Sequence, residues 1–274
     1  MVATPVSRPR VPAAWSRFLW RYASVIALLA GALVWEVSAR AVNMLFLPPL
    51  SRVVAKLAEL ISDGRIIGNL TNSLGNLATG YAIALVLGVG LGLLMGAYPT
   101  VDAALDPYVT ALNSTPGLVF APIFFTLFGL SKWSIVALIV LSTSIFLIIN
   151  TAAAIRAVSP ELIEMGRSFS ASDRQMFAKI LVPAALPFIL GTARLAGGRG
   201  VRAMINGEMF INAVGLGAII IQAAGRFDAT TILAVLFVIG TVGFAVLKGL
   251  QLLEERFTGW VPATDATSTA GGNR

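Results

Sequence analysis

The sequence predicts an all-α membrane protein that crosses the bilayer six times and places a charged cytoplasmic loop between its fourth and fifth spans. Composition is the first reason. Hydrophobic residues make up 57% of the 274 residues and charged residues 12%, with a mean hydropathy of +0.85, whereas a soluble domain carries about 25% charged residues. The second reason is that the apolar residues fall in runs of about 20, the length that a helix needs to cross a hydrocarbon core about 30 Å thick.

Six apolar runs give the spans, near residues 23–42, 77–97, 112–130, 134–154, 184–206 and 229–250. The first run follows several arginines, as in a cleaved signal peptide, but Glu36 and the later spans favour an uncleaved helix. Residues 209–224 are apolar but short, and polar residues and glycines interrupt them. We therefore expect an interfacial or re-entrant segment there, with a seventh span as the alternative.

Residues 43–76, between the first two spans, mix charged with apolar side chains. The apolar ones recur at helical spacing, at Val53, Leu57, Leu60 and Ile61. This pattern predicts an amphipathic helix at the membrane surface.

The second span carries a row of glycines spaced four residues apart, at Gly88, Gly92 and Gly96. Residues with this spacing share one helix face, and small residues there let two helices in a membrane approach closely. We expect this face to pack within the molecule, with a subunit interface as the alternative.

Basic residues orient the bundle. The leading tail, the loop before the fifth span and the C-terminal end hold eleven lysines and arginines, against six on the other side. Because basic residues accumulate on the cytoplasmic side, we expect cytoplasmic tails at 1–22 and 255–274, the second of them disordered, around a transmembrane domain at 23–254. The net charge of +7 is then a topology signal and not a sign of nucleic-acid binding.

The loop at about 155–183 carries the signals of two short helices. Ser159 precedes Pro160 as a helix N-cap would, and Ser172 with Gln175 forms the pattern of a capping box. The bend between the helices then falls at Ser170 and Ala171.

The first loop helix carries an apolar stripe, formed by Leu162, Met165 and Phe169. These positions share one helix face, and an exposed apolar face in a cytoplasmic loop indicates a partner-binding surface. The alternative is that the stripe packs against the cytoplasmic ends of the spans.

The loop resembles the signature loop of ABC importer permeases, whose pattern is Glu-Ala-Ala, three residues, Gly, nine residues, Ile, any residue, Leu, Pro. Glu164, Ile180 and Pro183 match it, whereas other residues stand at four positions: Met165, Gly166, Ser170 and Val182. Further short motifs are similar to landmarks of the branch that serves nitrate, sulfonates, taurine and bicarbonate: Val34-Trp35-Glu36, Leu47 to Val53, Asp106-Pro107, Thr115-Pro116, Phe128-Gly129, and Glu208 with Gly215-Leu216-Gly217.

This resemblance implies the six-span permease core of a bacterial ABC importer in the inner membrane. It also implies a homodimer, a periplasmic or lipid-anchored substrate-binding protein, and a separate ATPase that holds ATP and Mg²⁺. By the same resemblance, the loop docks onto the ATPase through Glu161, Leu162, Glu164, Met165, Gly166, Phe169 and Ser170. Because serine resists the positive φ that glycine tolerates, we expect the turn at Ser170 to be built differently from that of the family.

Polar residues also lie within the spans. Arg199, Arg202 and Asn206 share one face of the fifth span, and an intramembrane arginine is costly unless it faces a cavity or a partner. We predict a translocation path along this face, with Asn113, Thr115 and Asn150 as further lining residues. The alternative is that the arginines hold the bundle together, through salt bridges with Glu208 or Glu36 or through contacts with the carbonyls at helix C-termini.

We therefore expect a permease subunit that translocates a small anion and performs no covalent chemistry, without a metal site. Histidine, cysteine and the Gly-x-x-x-x-Gly-Lys-[Ser/Thr] phosphate-binding pattern are all absent from the chain. An ion-coupled secondary carrier or channel is the alternative of a different class, and a scaffolding membrane protein is a third.

Overall fold

The computed structural model describes residues 13–42, 46–211 and 214–258. Helices are the only regular elements in these ranges. They are α1 (Ala13–Val42), α2 (Leu50–Ser62), α3 (Arg65–Ala97), α4 (Pro99–Ser114), α5 (Ala121–Phe128), α6 (Lys132–Arg156), α7 (Pro160–Ser168), α8 (Asp173–Met176), α9 (Val182–Ile211), α10 (Leu216–Ala224) and α11 (Ala229–Thr258). Residues 1–12 and 259–274, which hold most of the two predicted tails, lie outside the described ranges.

The predicted fold class is confirmed. Five helical stretches in the described ranges are long and apolar enough to cross a membrane: α1, α3, α6, the continuous helix from Asp173 to Ile211, and α11. A sixth span results if α4 and the helices that follow it count as one broken span. The core lies where α3, α6 and α9 meet, around buried Leu77, Ile139 and Met204.

The third span is not the continuous helix expected at 112–130. Instead α4 ends at Ser114, and a 3₁₀ turn at Gly117–Phe120 leads into α5 at an angle of 97°. Pro116 explains the break, because proline disfavours helical geometry in the residue before it and lacks an amide hydrogen. Thr115 is accordingly extended, with φ −95° and ψ 127°.

The segment between the first two spans was predicted only in part. Helix α2 is amphipathic as expected, with Val53 and Leu60 fully buried, but Ile61 is exposed. Helix α3 begins at Arg65, twelve residues before the predicted start of the second span at 77. The polar residues at its start explain the difference, because the side chains of Asn69 and Asn72 donate hydrogen bonds to carbonyls one turn earlier in the same helix.

The glycine face of α3 packs inside the molecule, as expected. A Cβ on Gly88 would lie 2.5 Å from the Cβ of Leu147, and a Cβ on Gly92 would lie 2.6 Å from that of Thr151. Both partners belong to α6, so the absence of these side chains sets the spacing of the two central helices.

The segment at 209–224 does not form a seventh span. Helix α9 ends at Ile211 and the nine-residue α10 follows, which rises only about 14 Å in a hydrocarbon core of about 30 Å. Leu216 and Ile219 of α10 are buried, so this short helix folds back onto the bundle.

Candidate functional site

The loop between α6 and α9 forms two short helices, with α7 docked onto the start of the next helix. Gly166 is buried, and a Cβ there would lie 2.5 Å from the side chain of Ile180 and 2.7 Å from that of Met176. This close approach joins α7 to the helix that continues into the fifth span. Gly166 therefore lets α7 pack closely against the start of the helix that leads into α9.

The turn after α7 adopts a left-handed conformation at Ser170, with φ +54°. The amide of Ser170 donates to the carbonyl of Arg167 over 2.8 Å, and the amide of Ala171 donates to that of Gly166 over 3.1 Å. This pair of bonds is a Schellman motif. The expectation of a differently built turn is wrong, because Ser170 occupies the backbone conformation that glycine favours.

The capping box predicted for the second loop helix is present. Ser172 Oγ accepts from the Gln175 amide, while Gln175 Oε1 accepts from the Ser172 amide. Ser159 stands at the N-cap of α7 as expected, but its side chain makes no capping hydrogen bond.

The apolar stripe of α7 faces outward. Leu162 is 38% exposed, Met165 48% and Phe169 81%, and both Glu161 and Glu164 are exposed beside them. The alternative was that this stripe packs against the ends of the spans. In a single copy the spans do not cover these side chains. The five residues form a continuous outer surface, which we call the docking face.

A π turn at Phe177–Leu181 joins the loop to α9. Pro183 follows within one turn, and because proline has no amide hydrogen it leaves an earlier carbonyl without its helical partner. The ring of Phe177 stacks on that of Tyr98, which lies between α3 and α4, with centroids 6.2 Å apart. The π turn therefore contacts the junction of α3 and α4.

A polar cavity of about 540 Å³ lies between α4, the 3₁₀ turn, α6 and α9. It brings together five of the six residues predicted for the translocation path: Asn113, Thr115, Arg199, Arg202 and Asn206. The break between α4 and α5 forms one wall of this space, which Thr115, Pro116 and Gly117 line. Polar and charged side chains within membrane spans face a cavity or a partner and not the lipid, and this space provides such a cavity.

Both arginines of the cavity keep their charge unpaired. The guanidinium of Arg199 lies over the ring of Phe146, 4.1 Å from its centroid, and Nε of Arg202 donates to the carbonyl of Gly198 over 3.3 Å. Within the described ranges neither is within ion-pair distance of a carboxylate.

The two carboxylates considered as structural partners are engaged elsewhere. Glu36 pairs with Arg40 and accepts from Ser51, and the fully buried Glu208 accepts from the amide of Gly217 over 3.1 Å. The structural ion pair of the fifth span is instead Arg194 with Glu254 of α11, at 3.2 Å.

Asn150 is not among the residues that line the cavity; its amide donates to the carbonyl of Phe146 one turn earlier in α6. Ser142, in contrast, was missed. Its hydroxyl lines the cavity and lies 2.6 Å from where a Cβ on Gly117 would stand. Ser142 stands beside Thr143 and Ser144 in an otherwise apolar run, and nothing in the sequence distinguishes it from these two neighbours, so the bend at Gly117 had to be known first.

Residues 86–258, which include the cavity and the docking face, match the family described as binding-protein-dependent transport system inner membrane component. The chain belongs to this family. It is the transmembrane permease subunit of an ABC importer, a multi-pass inner-membrane protein, and ATP hydrolysis lies in a separate subunit.

Relatives of this permease extend the match beyond the family region. The taurine transport system permease protein TauC of Escherichia coli is 29% identical over 257 residues, which cover 89% of this chain and 93% of TauC. The formylaminopyrimidine transport permease protein ThiX of Halalkalibacterium halodurans is 31% identical over 221 residues, covering 80% of this chain and 88% of ThiX.

A solved structure has the same fold as this permease. A chain of the MetNI methionine ABC transporter in an inward-facing conformation aligns with a TM-score of 0.60 and 20% identity, over 69% of this chain and 94% of its own length.

Proposed function

We propose that this permease works as a homodimer and moves a small anion through the cavity that holds Arg199 and Arg202. A substrate-binding protein delivers the anion on the side opposite the loop, and an ATPase subunit on the cytoplasmic side grips the docking face of α7. Both termini lie on that cytoplasmic side.

The unpaired arginines of the cavity support the anion most directly. Two guanidinium groups on one helix face, surrounded by hydroxyl and amide groups, offer hydrogen-bond donors to oxyanions such as sulfonates or carboxylates. Arg199 and Arg202 are exposed on the cavity, where an arginine within a membrane span is tolerated, and a passing anion would supply the counter-ion that they lack. TauC is named for the transport of taurine, which carries a sulfonate group, and this is consistent with the proposal.

The docking face supports the proposed energy coupling. Exposed apolar residues flanked by carboxylates suit a groove on a partner protein, and Gly166 holds α7 against the helix that carries the arginines. Closure of an ATPase pair would move α7, and α9 would move with it. The cavity would then change the side on which it opens.

The test is uptake into proteoliposomes that contain the permease, its ATPase and its binding protein. Arg202→Gln removes one cavity charge, whereas Lys132→Gln removes one charge at the far end of α6 and is the matched control. We expect Arg202→Gln to lower anion uptake at least tenfold, about 1.4 kcal/mol, and Lys132→Gln to leave it unchanged. Equal uptake by both variants would contradict an anion path through this cavity.

The same vesicles separate an importer subunit from an ion-coupled carrier. An importer requires ATP and the ATPase subunit, so uptake should stop when either is left out. Uptake driven by an ion gradient in the permease alone would contradict the proposed coupling.

A further inference from the structure

Helices α1 and α11 border two cavities that follow each other along the molecule. The first, of about 480 Å³, lies where α1 ends and α11 begins, and its lining includes Arg40, Arg52 and Asp228. The second, of about 770 Å³, is apolar and contains Leu28, Trp35, Phe237 and Phe244 in its lining. The two cavities meet within one helical turn. The first is lined by Ala39 of α1 and Thr230 of α11, and the apolar one by Trp35, one turn before Ala39, and Leu233, about one turn after Thr230.

The residue at the junction of the two cavities is fixed in place. Nε1 of Trp35 donates to the carbonyl of Pro48 over 3.1 Å, and its indole stacks on Phe237 with centroids 6.0 Å apart. A tryptophan with one polar contact and one apolar face is typical of the boundary between lipid headgroups and hydrocarbon. The polar cavity therefore lies at headgroup level, and the apolar groove extends from it into the hydrocarbon.

The groove has the length of one leaflet. Its α11 wall runs from Leu233 to Phe244, which is about 16 Å at 1.5 Å per residue. This is half of a hydrocarbon core of about 30 Å. Gly240, with nothing within 4 Å of its missing side chain, keeps the middle of the groove open.

The cavity of about 480 Å³ between the end of α1 and the start of α11 offers charge of both signs. Arg40 is neutralised by its ion pair with Glu36, but Arg52 is exposed and has no ion pair within the described part of the chain. Asp228 accepts hydrogen bonds from the amide and the hydroxyl of Thr231, at 3.0 and 2.6 Å. Partial burial opposes its ionisation, but these bonds prevail and lower its pKa, so it is negative at neutral pH.

We propose that this seam between α1 and α11 binds a zwitterionic aminophospholipid such as phosphatidylethanolamine. One acyl chain lies along the groove from Trp35 to Phe244, the phosphate meets Arg52 and the ammonium meets Asp228. An anionic phosphatidylglycerol headgroup would bring hydroxyl donors to Asp228 but no positive charge, so it would lack the charge-assisted bond that an ammonium makes with a carboxylate. A choline headgroup would bring no N–H to that carboxylate.

The test is native mass spectrometry of the permease, alone and in its complex, after equilibration in vesicles of equal parts phosphatidylethanolamine, phosphatidylcholine and phosphatidylglycerol. We expect retained phosphatidylethanolamine in the unmodified protein. Gly240→Phe fills the groove and should abolish retention, whereas Gly243→Phe, which also enters open space but does not line the groove, should not. Arg52→Gln should lower retention about tenfold, with Lys132→Gln as its charge-matched control.

Trp35 gives a second measurement that does not depend on extraction from the membrane. With the other four tryptophans replaced by phenylalanine, brominated phosphatidylethanolamine should quench Trp35 more strongly than brominated phosphatidylcholine or phosphatidylglycerol. Gly240→Phe should remove that preference. Equal quenching by the three lipids, or equal retention of all three, would overturn the headgroup assignment.

A second copy of the chain is the competing occupant of the groove. Because the chain has no cysteine, Gly240→Cys introduces a single thiol in the middle of the groove. Efficient disulfide cross-linking of two Gly240→Cys copies in native membranes would overturn the lipid site. Absence of cross-linking, in protein whose free thiol is then labelled with maleimide after denaturation, would support it.

Discussion

The amide of Ala171 donates to the carbonyl of Gly166 over 3.1 Å and closes the Schellman motif at the end of α7. This bond requires the left-handed backbone at Ser170, where a side chain costs about 1 kcal/mol relative to glycine. We therefore expect Ser170→Gly to stabilise the loop by about 0.5–1 kcal/mol. Hydrogen exchange of the α7 amides in the purified permease should slow about two- to fivefold.

Ser168→Gly is the control for this prediction. Ser168 lies in the last turn of α7 with ordinary helical geometry, where glycine costs about 0.5–1 kcal/mol. Exchange should therefore become faster in Ser168→Gly. Faster exchange in both variants would show that the turn does not depend on the conformation of residue 170.

The docking face should tolerate no charge at its centre. Met165→Asp combined with Phe169→Asp places two carboxylates in the most exposed part of the stripe, where partner contact would have to desolvate them. We expect co-purification of the ATPase to fall by at least tenfold, about 1.4 kcal/mol per factor of ten, with membrane insertion unchanged. Pull-down from solubilised membranes measures this.

Ala178→Asp is the control for the docking face, because Ala178 is exposed in the same loop but outside the stripe. It should retain the ATPase. Undiminished ATPase binding by the double variant would contradict docking through α7.

The predictions that succeeded rest on strong local signals. Apolar runs of about 20 residues locate the spans, and Ser172 with Gln175 names a helix start because the capping box is a short-range pattern. The glycine row of α3 was informative for the same reason, since its period of four defines one face.

The features that were missed depend on contacts distant in sequence. Pro116 was visible as a residue, but only its packing shows that the chain bends by 97° and opens a cavity instead of continuing as a span. Asn69 and Ser73 fall in the mixed segment predicted before the second span, yet they lie in α3 and accept the amides of Gly215 and Leu216, more than 140 residues away. No periodicity in the sequence encodes that pairing.

The packing of α3 against α6 predicts a sharp contrast between neighbouring glycines. In Gly92→Ala the new methyl group would lie 2.6 Å from the Cβ of Thr151 and 2.8 Å from the carbonyl of Ile148, so a helix must shift. We expect a loss of about 1–3 kcal/mol from this overpacking, seen as a lower thermal unfolding midpoint in detergent.

Gly90→Ala is the matched control for that substitution. It lies on the same helix with nothing within 4 Å of its missing side chain, so alanine should be neutral or stabilising by up to about 1 kcal/mol. Equal effects of the two substitutions would show that the glycine face does not set the helix spacing.

Glu208 should act as the anchor of α10. Its carboxylate is fully buried and Oε2 accepts the Gly217 amide over 3.1 Å, while Gly215, at φ +97°, has no room for a side chain beside that carboxylate. Glu208→Leu removes the acceptor and leaves the amide buried and unsatisfied, which costs about 1–3 kcal/mol. Glu208→Gln keeps an acceptor oxygen of the same reach and should preserve most of the stability.

Cysteine accessibility provides the measurement. A single Ala223→Cys, buried in α10, should react with a maleimide markedly faster in Glu208→Leu than in Glu208→Gln. Equal labelling rates in the two variants would show that apolar contacts with α9 and α11 hold α10 in place, and that the hydrogen bond from Gly217 to Glu208 does not.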